Sequence, residues 1–180
     1  PNHLEEGISK AKTLSMERKK RKFDETVEIS VGIRDLDLKD PANRINIESL
    51  VPYDLGGKSS VAVFAEGDLA VKTQASGIHT IQRDEIERLG KEPKAAKRLA
   101  NEYQFFLSDP ALMGQVAKSL GKVLGPRGKM PKPVPPKVDI EKFIDPYHRM
   151  VKLRIKATPV LNSKIGKASQ NSKLLAENAS

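Results

Sequence analysis

The residues that could trade protons, hold a metal or attack a bond are few in this chain and badly placed for it. Cysteine is absent, which removes disulfides, thiolate nucleophiles and cysteine zinc sites. His3, His79 and His148 are far apart, and no two have metal-ligand spacing. No serine sits in a nucleophile elbow. Gly57-Lys58-Ser59 resembles the end of a phosphate-binding loop, but that motif needs a glycine five residues before its Gly-Lys, where this chain has Pro52. The string also precedes an apolar run instead of following one, so it reads as a linker. Asp84 and Glu85 fall where a charged helix would start, and capping explains them better than catalysis. The expectation is a protein that is not an enzyme and needs neither cofactor nor metal.

Two other strings suit a polyanion. Lys19-Lys20-Arg21-Lys22-Phe23 sets four cations before one aromatic ring. Cations neutralise phosphates and release counterions, while a ring can stack on a base or pack on a ribose. The plainer reading makes Phe23 the first core residue of a strand. Leu124-Gly125-Pro126-Arg127-Gly128-Lys129-Met130-Pro131 is stiff and basic, and a stiff loop loses little entropy on binding. Its plainer reading is a rigid connection between a helix and a strand.

Charge distribution favours the same partner. The formal net charge is +9. Seven cations face three acids in residues 1–22; residues 114–137 hold six cations and 149–173 hold seven, with no acid in either. Sixteen of the 23 acids lie between Asp24 and Asp109. Basic segments separated in sequence can be gathered by folding into one electrostatic footprint. A single basic run is as often a solvated face; two long acid-free runs make that less so. No stretch approaches the roughly 20 apolar residues that span a bilayer, and no secretory signal opens the chain, so nucleic acid outranks a membrane as partner.

The elements that must position these groups follow from periodicity. Residues 4–20 read as a basic amphipathic helix with Leu4, Ile8, Ala11, Leu14 and Ser15 near one face. Residues 27–34 alternate as a half-buried strand, Val27, Ile29, Val31 and Ile33 on one side. Asp40-Pro41-Ala42-Asn43 is a turn, and Leu50-Val51 adds a short strand. Residues 54–60 form a joint around Gly56-Gly57. From there the style changes. Residues 61–65 are a continuous apolar strand, followed by a helix opening near Asp68, a strand at 78–81, helices at 84–89 and 93–101, a strand at 103–107 and a helix at 110–120. That order gives a small α/β domain with a mostly parallel sheet. Residues 122–137 read as a proline-stiffened loop, and Asp145-Pro146 as a second joint. Residues 150–156 alternate again, with Lys152, Arg154 and Lys156 outward. A further strand covers 160–165, turning at Gly166, and residues 172–179 start a helix. An inserted domain is one way to explain basic half-buried strands at both ends and covered strands between them.

Three strings, in order, resemble one family: Lys22-Phe23-Asp24-Glu25-Thr26-Val27-Glu28; Val123-Leu124-Gly125-Pro126-Arg127-Gly128-Lys129-Met130-Pro131 with Pro133-Val134-Pro135 after it; and Ile165-Gly166-Lys167-Ala168-Ser169 followed by Leu174-Leu175-Ala176-Glu177-Asn178. The chain resembles ribosomal protein L-one of the large subunit, archaeal type, over nearly its whole length, and the second string is the most specific. The resemblance implies an α/β (α+β) fold in two domains. Domain I would be a split β-α-β sandwich from both chain ends (1–56 and 149–180), and domain II an inserted Rossmann-like three-layer α/β/α domain (57–148). It implies a structural protein that grips folded large-subunit rRNA at the mobile stalk near the exit site. There it would assist release of deacylated tRNA beside other ribosomal components in the cytoplasm, and repress translation by binding its own mRNA. By motif, RNA contacts are expected from Lys22, Phe23, Glu25 and Thr26, and from Lys164, Lys167 and Ser169. Charge pattern adds Lys152 and Arg154, and Arg127 and Lys129 are expected at a tRNA-facing or hinge loop. The resemblance also implies a last helix and a strand with a Ser/Thr-Met-Gly-Pro type string that contacts RNA. The chain stops at Ser180, inside that helix, so the sequence is expected either to be truncated or to cover only an ordered part, and its opening on Pro1 also points to trimming. Two other readings remain: a ribosome-assembly or regulatory RNA-binding factor of the same fold, and a nucleotide-binding α/β enzyme suggested by the middle segment alone.

Overall fold

The structure is a computed structural model that describes every residue except 1, 19, 20, 41, 42, 44, 58–60, 136, 137, 156 and 157, together with the side chain of Asn2. Its contacts divide it into two compact units, residues 1–58 with 148–180, and residues 59–147.

The first unit is built from both chain ends. Helix α1 (Asn2–Arg18) leads to strand β1 (Thr26–Gly32) and then β2 (Asn46–Leu50). After the second unit come β7 (Met150–Arg154), β8 (Val160–Lys167) and helix α7 (Ser172–Asn178). β1 pairs antiparallel with β8 and β2 antiparallel with β7, so each ribbon joins one strand from each end of the chain. Val27 and Ile29 turn one face of β1 toward Ile8, Ile165, Leu175 and Ala176, the small core under α1 and α7. Thr26, Glu28 and Ser30 lie on the opposite face, as period-two alternation requires. A second cluster, Val51, Leu55 and Val151 with Leu153, sits under the β2–β7 ribbon.

The second unit contains β3 (Val61–Phe64), α2 (Gly67–Ala75), β4 (His79–Ile81), α3 (Arg83–Lys91), α4 (Pro93–Glu102), β5 (Phe105–Ser108), α5 (Met113–Leu124), β6 (Lys132–Pro133) and α6 (Ile140–Ile144). Its four strands are parallel, in the order β4-β3-β5-β6. β3 and β5 are buried along their whole length, which is why both read as unbroken apolar runs. Ala62, Phe64 and Phe106 pack under α3, α4 and α5 through Ile86, Leu89, Leu99, Val116 and Leu120. Val63, Phe105 and Leu107 are buried on the other face, where Phe105 meets Tyr147 edge-on. Full burial of such a side chain contributes about 1.5–3 kcal/mol.

Several expectations need correction. α1 buries Ile8, but Leu14 is 52% exposed; its covered stripe runs through Glu5, Ile8, Lys12 and Ser15, because Lys12 and Ser15 find polar partners on this face. The second strand of the first unit is Asn46–Leu50, beginning earlier than the expected Leu50-Val51 and ending before Val51. Residues 122–137 are not all loop: α5 continues to Leu124, and Lys132-Pro133 joins the sheet beside Leu107 and Ser108. Proline is tolerated there because β6 is an edge strand. Gly166 is no turn; β8 runs through it to Lys167, and the register slips beside it between Val27 and Glu28. Asp84 and Glu85 do lie in the first turn of α3, but no side chain caps it. Of the expected turn at residues 40–43, Pro41 and Ala42 lie outside the described residues, while the Asn43 N–H donates to the Asp40 carbonyl at 3.1 Å. Lys58 and Ser59 of the linker string and Lys156 of the last basic strand are likewise outside them.

Candidate nucleic-acid interface

Where α1 ends, the chain must cross to β1, and residues 21–25 make that crossing over the turn between β8 and α7. The crossing is held by a short network. The Asp24 carboxylate accepts from the Ser169 N–H at 3.0 Å and from the Ser169 hydroxyl at 2.7 Å. The Lys167 ammonium donates to the Asp24 carbonyl at 3.2 Å and to the Thr26 hydroxyl at 3.0 Å. Beyond it, the Ala168 N–H reaches the Glu25 carbonyl at 2.8 Å. Two strings nearly 150 residues apart in sequence therefore form one edge.

The network leaves an open groove of about 550 Å³, walled by Ala11, Lys12, Ser15 and Met16 of α1, floored by residues 23–28 and closed by Ala168 and Ser169. At its mouth Phe23 is 67% exposed. The plainer reading of Phe23 as a core residue is therefore wrong: the strand's covered positions start at Val27. The Arg21 guanidinium stands 6.0 Å from the ring centroid. Glu25 holds that cation in place, accepting from the Ser15 hydroxyl at 2.7 Å and pairing with Arg21 Nε at 3.2 Å. An exposed ion pair of this kind is worth only about 0–1 kcal/mol, so its effect is orientation and not stability.

Electrostatics follow from the same contacts. The Ser169 hydroxyl bond holds the Asp24 carboxyl below the ordinary carboxylate range; burial opposes this, and the Ser169 N–H, Lys167 and Lys12 add to it. A depressed carboxyl stabilises the fold above its unfolded value, and that contribution is lost as pH falls through the folded one. Lys164, half-buried on β8 opposite Glu28, is pushed down by burial first and by Lys167 second, with Asp54 opposing. A lysine shifted this way gains when an anion approaches.

The expected residues do not all gather. Phe23, Glu25, Thr26 and Ser169 line the groove, Lys167 is bonded to Thr26 and Asp24 of its lining, and Lys22 is exposed next to Phe23 in the chain. Glu25 acts through Arg21 and Ser15. Lys167 has spent two of its three donors on Asp24 and Thr26. Lys164 lies one step along β8. Lys152 does not project outward: its side chain is 15% exposed and pairs with Glu48 at 3.7 Å across the β2–β7 ribbon, because cross-strand neighbours of opposite charge attract. Arg154 is half-buried on the same strand. Arg127 and Lys129 belong to the second unit, where Arg127 Nη1 donates to the Val123 carbonyl at 3.0 Å. Lys129 Nζ donates to the Ala100 and Tyr103 carbonyls at 2.8 and 2.9 Å, binding the loop to the end of α4. The rigid-connection reading of that loop is the one these contacts fit. Lys19 and Lys20 lie outside the described residues.

Sequence reasoning missed Asp24 and Arg21 as members of the site. Asp24 lies in the Lys22–Glu28 stretch, but nothing in sequence links it to Ser169. Arg21 read as one cation of four, and only the tertiary position of Phe23 singles it out.

Among the described residues no group of three or more His, Asp or Glu could hold a metal, and no helix is long and apolar enough to cross a membrane. The C-terminal end of β3, where a Rossmann-like sheet would seat a nucleotide, meets α2 with Glu66 and Asp68 at the helix start, and Glu66 is held by Arg83 at 2.8 and 2.9 Å. Carboxylates there oppose a phosphate at the helix N-terminus. Fold and site together are those of a mixed α/β protein in two units, one of which carries an open groove edged by cations and an exposed ring. The profile of the ribosomal protein L1p/L10e family matches residues 14–180. Curated relatives called large ribosomal subunit protein uL1 are similar over most of the chain. That of Thermofilum pendens is 44% identical, covering 98% of this chain and 78% of its own. That of Archaeoglobus fulgidus is 41% identical, covering 89% and 75%, and that of Methanopyrus kandleri 40% identical, covering 88% and 74%. The chain belongs to the ribosomal protein L1p/L10e family, whose members are structural and not enzymatic.

Proposed function

We propose that this chain is a structural protein of the large ribosomal subunit, and that the unit made from its two ends is the domain that grips folded large-subunit rRNA. The observation that carries this is the exposed Phe23 ring under Arg21, beside Lys22, Lys167 and Ser169, on an edge assembled from both ends of the chain. Aromatic stacking supplies affinity for unpaired bases, and the cations supply the salt-dependent part. Residues 59–147 form the inserted domain II. On the ribosome the protein sits at the mobile stalk near the exit site and assists release of deacylated tRNA. A similar fold in its own mRNA takes the same surface and gives translational repression.

Footprinting the chain on large-subunit RNA tests the reading. Protection confined to one folded segment, with a steep salt dependence and strong preference over random duplex, is the expected result. Diffuse protection that random duplex removes at equal concentration overturns it. Competition with the chain's own mRNA leader and with deacylated tRNA tests the two finer roles separately.

A further inference from the structure

Gln170 lies half-buried where α1, the β8–α7 turn and the segment leaving β2 come together. Its main chain is bound twice: the N–H donates to the Lys167 carbonyl at 3.0 Å, and the carbonyl accepts Lys12 Nζ at 2.7 Å. Its side-chain amide faces two ways. Oε1 accepts the Lys167 N–H at 2.7 Å, and Nε2 donates to the Asp54 carbonyl at 2.8 Å. Asp54 in turn accepts the Gly56 N–H on its carboxylate at 2.7 Å. Only a side chain with an acceptor and a donor on one carbon, at this length, can do both.

Space is cleared for that amide from two sides. Gly166 has φ of 151°, and a Cβ there would run into Gln170 Oε1 and Leu175. Gly56 has φ of 68°, and a Cβ there would stand 3.0 Å from Gln170 Oε1 and 2.7 Å from Lys167 Cγ. Both backbones thus take conformations that favour glycine while closing around one side chain.

We infer that Gln170 is a positioning residue of the RNA-gripping edge, its amide locking the Lys167 backbone to the Asp54–Gly56 segment by which the chain leaves the unit, so that RNA occupancy and order in that segment are coupled. This rests on the RNA reading above. Lys167 and Ser169 hold the edge closed through Asp24, and Gln170 fixes the turn that carries both. RNA that steadies Lys167 steadies the Gln170 amide, and with it the Asp54 carbonyl and the turn closed by Gly56.

The test uses the whole chain as wild type, Gln170→Leu and Gln170→Glu. Leucine removes both side-chain bonds. Glutamate keeps an acceptor for the Lys167 N–H but sets a carboxylate against the Asp54 carbonyl. Hydrogen exchange at the Gly56 amide is read without and with a large-subunit rRNA fragment, and affinity is read over a salt series. Without RNA, both variants exchange Gly56 faster than wild type. With RNA, wild type slows further and Gln170→Glu does not. Gln170→Leu binds RNA about tenfold more weakly at unchanged salt slope, the size expected when one hydrogen bond stops holding a contacting group, while Gln170→Glu stays within roughly threefold of wild type. Equal Gly56 exchange in the three free proteins, or wild-type affinity in Gln170→Leu, overturns the proposal. Should Gln170→Leu fail to fold, Gln170→Glu carries the exchange comparison. If wild type itself does not bind the fragment, the RNA reading and the coupling fall, and exchange in the free proteins still decides whether Gln170 ties the segment.

Discussion

Phe23 shows how little a side chain's type says about its role. A phenylalanine before a strand is ordinarily core, yet this one leaves two thirds of its surface open beneath a guanidinium. Phe23→Ala should weaken specific RNA binding by about 1–3 kcal/mol and leave the salt slope and melting temperature nearly unchanged, since stacking is lost but neither a phosphate contact nor core is. Lys22→Ala should instead lower the slope by about 1, as expected for one phosphate contact. Titrations at several salt concentrations separate the two, and a collapsed melting transition in Phe23→Ala would return the ring to the core. Lys164 offers a test by pH. Burial and Lys167 disfavour its charged form, so its penalty on the fold persists at neutral pH and is relieved as pH rises through its lowered value. A bound phosphate reverses the sign, and NMR titration should find the Lys164 value raised in the RNA complex. An unmoved value would remove Lys164 from the interface.

At the scale of elements, β8 is the one that joins everything else. It pairs with β1, slips register beside Gly166 and delivers Lys167 and Ser169 to Asp24. Gly166→Ala places a methyl against Gln170 and Leu175 at a φ that L residues rarely adopt. It should cost about 2–4 kcal/mol, read by denaturant unfolding, and reduce RNA affinity with it. A stable Gly166→Ala protein with full affinity would show that the bulge is not needed. Most elements were legible from periodicity. The fully covered strands and the helices between them stood out because burial on both faces and the 3.6-residue repeat leave different patterns. What failed had a physical cause in each case. The α1 stripe was misplaced because two of its covered positions are polar and bonded, which an apolar pattern does not register. The strand at Lys132-Pro133 was hidden because its prolines argue against a ladder except at an edge. At Gly166 sequence does not separate a turn from a strand that runs on through a register slip, because glycine marks turns and bulges alike.

The two units have separate cores, Ile8, Ile165 and Leu175 in one and Phe64, Phe106 and Leu120 in the other. Leu120→Ala should therefore lower the stability of the 59–147 unit by about 2–5 kcal/mol while RNA affinity stays within about twofold, because the two cores share no residue and sites without shared partners act independently. Hydrogen exchange resolved by unit, with a parallel binding titration, checks this; a large loss of affinity would mean that the second unit shapes the grip. The sequence by itself favoured a polyanionic partner, since net charge is a property of composition and its clustering a property of residue order. It also determined the parallel sheet of the middle unit, since apolar runs of strand length bounded by helices admit little else. The family was carried by strings whose glycines and prolines are individually hard to replace. Only tertiary structure decided which cations are available. Lys152 is covered by Glu48, Lys129 is taken up by the end of α4, and Lys167 is shared with Asp24 and Thr26, whereas Lys22 is left open. A charge is written in the sequence, but its partner is set by residues 26 to 143 positions away, and those contacts exist only once the chain has folded.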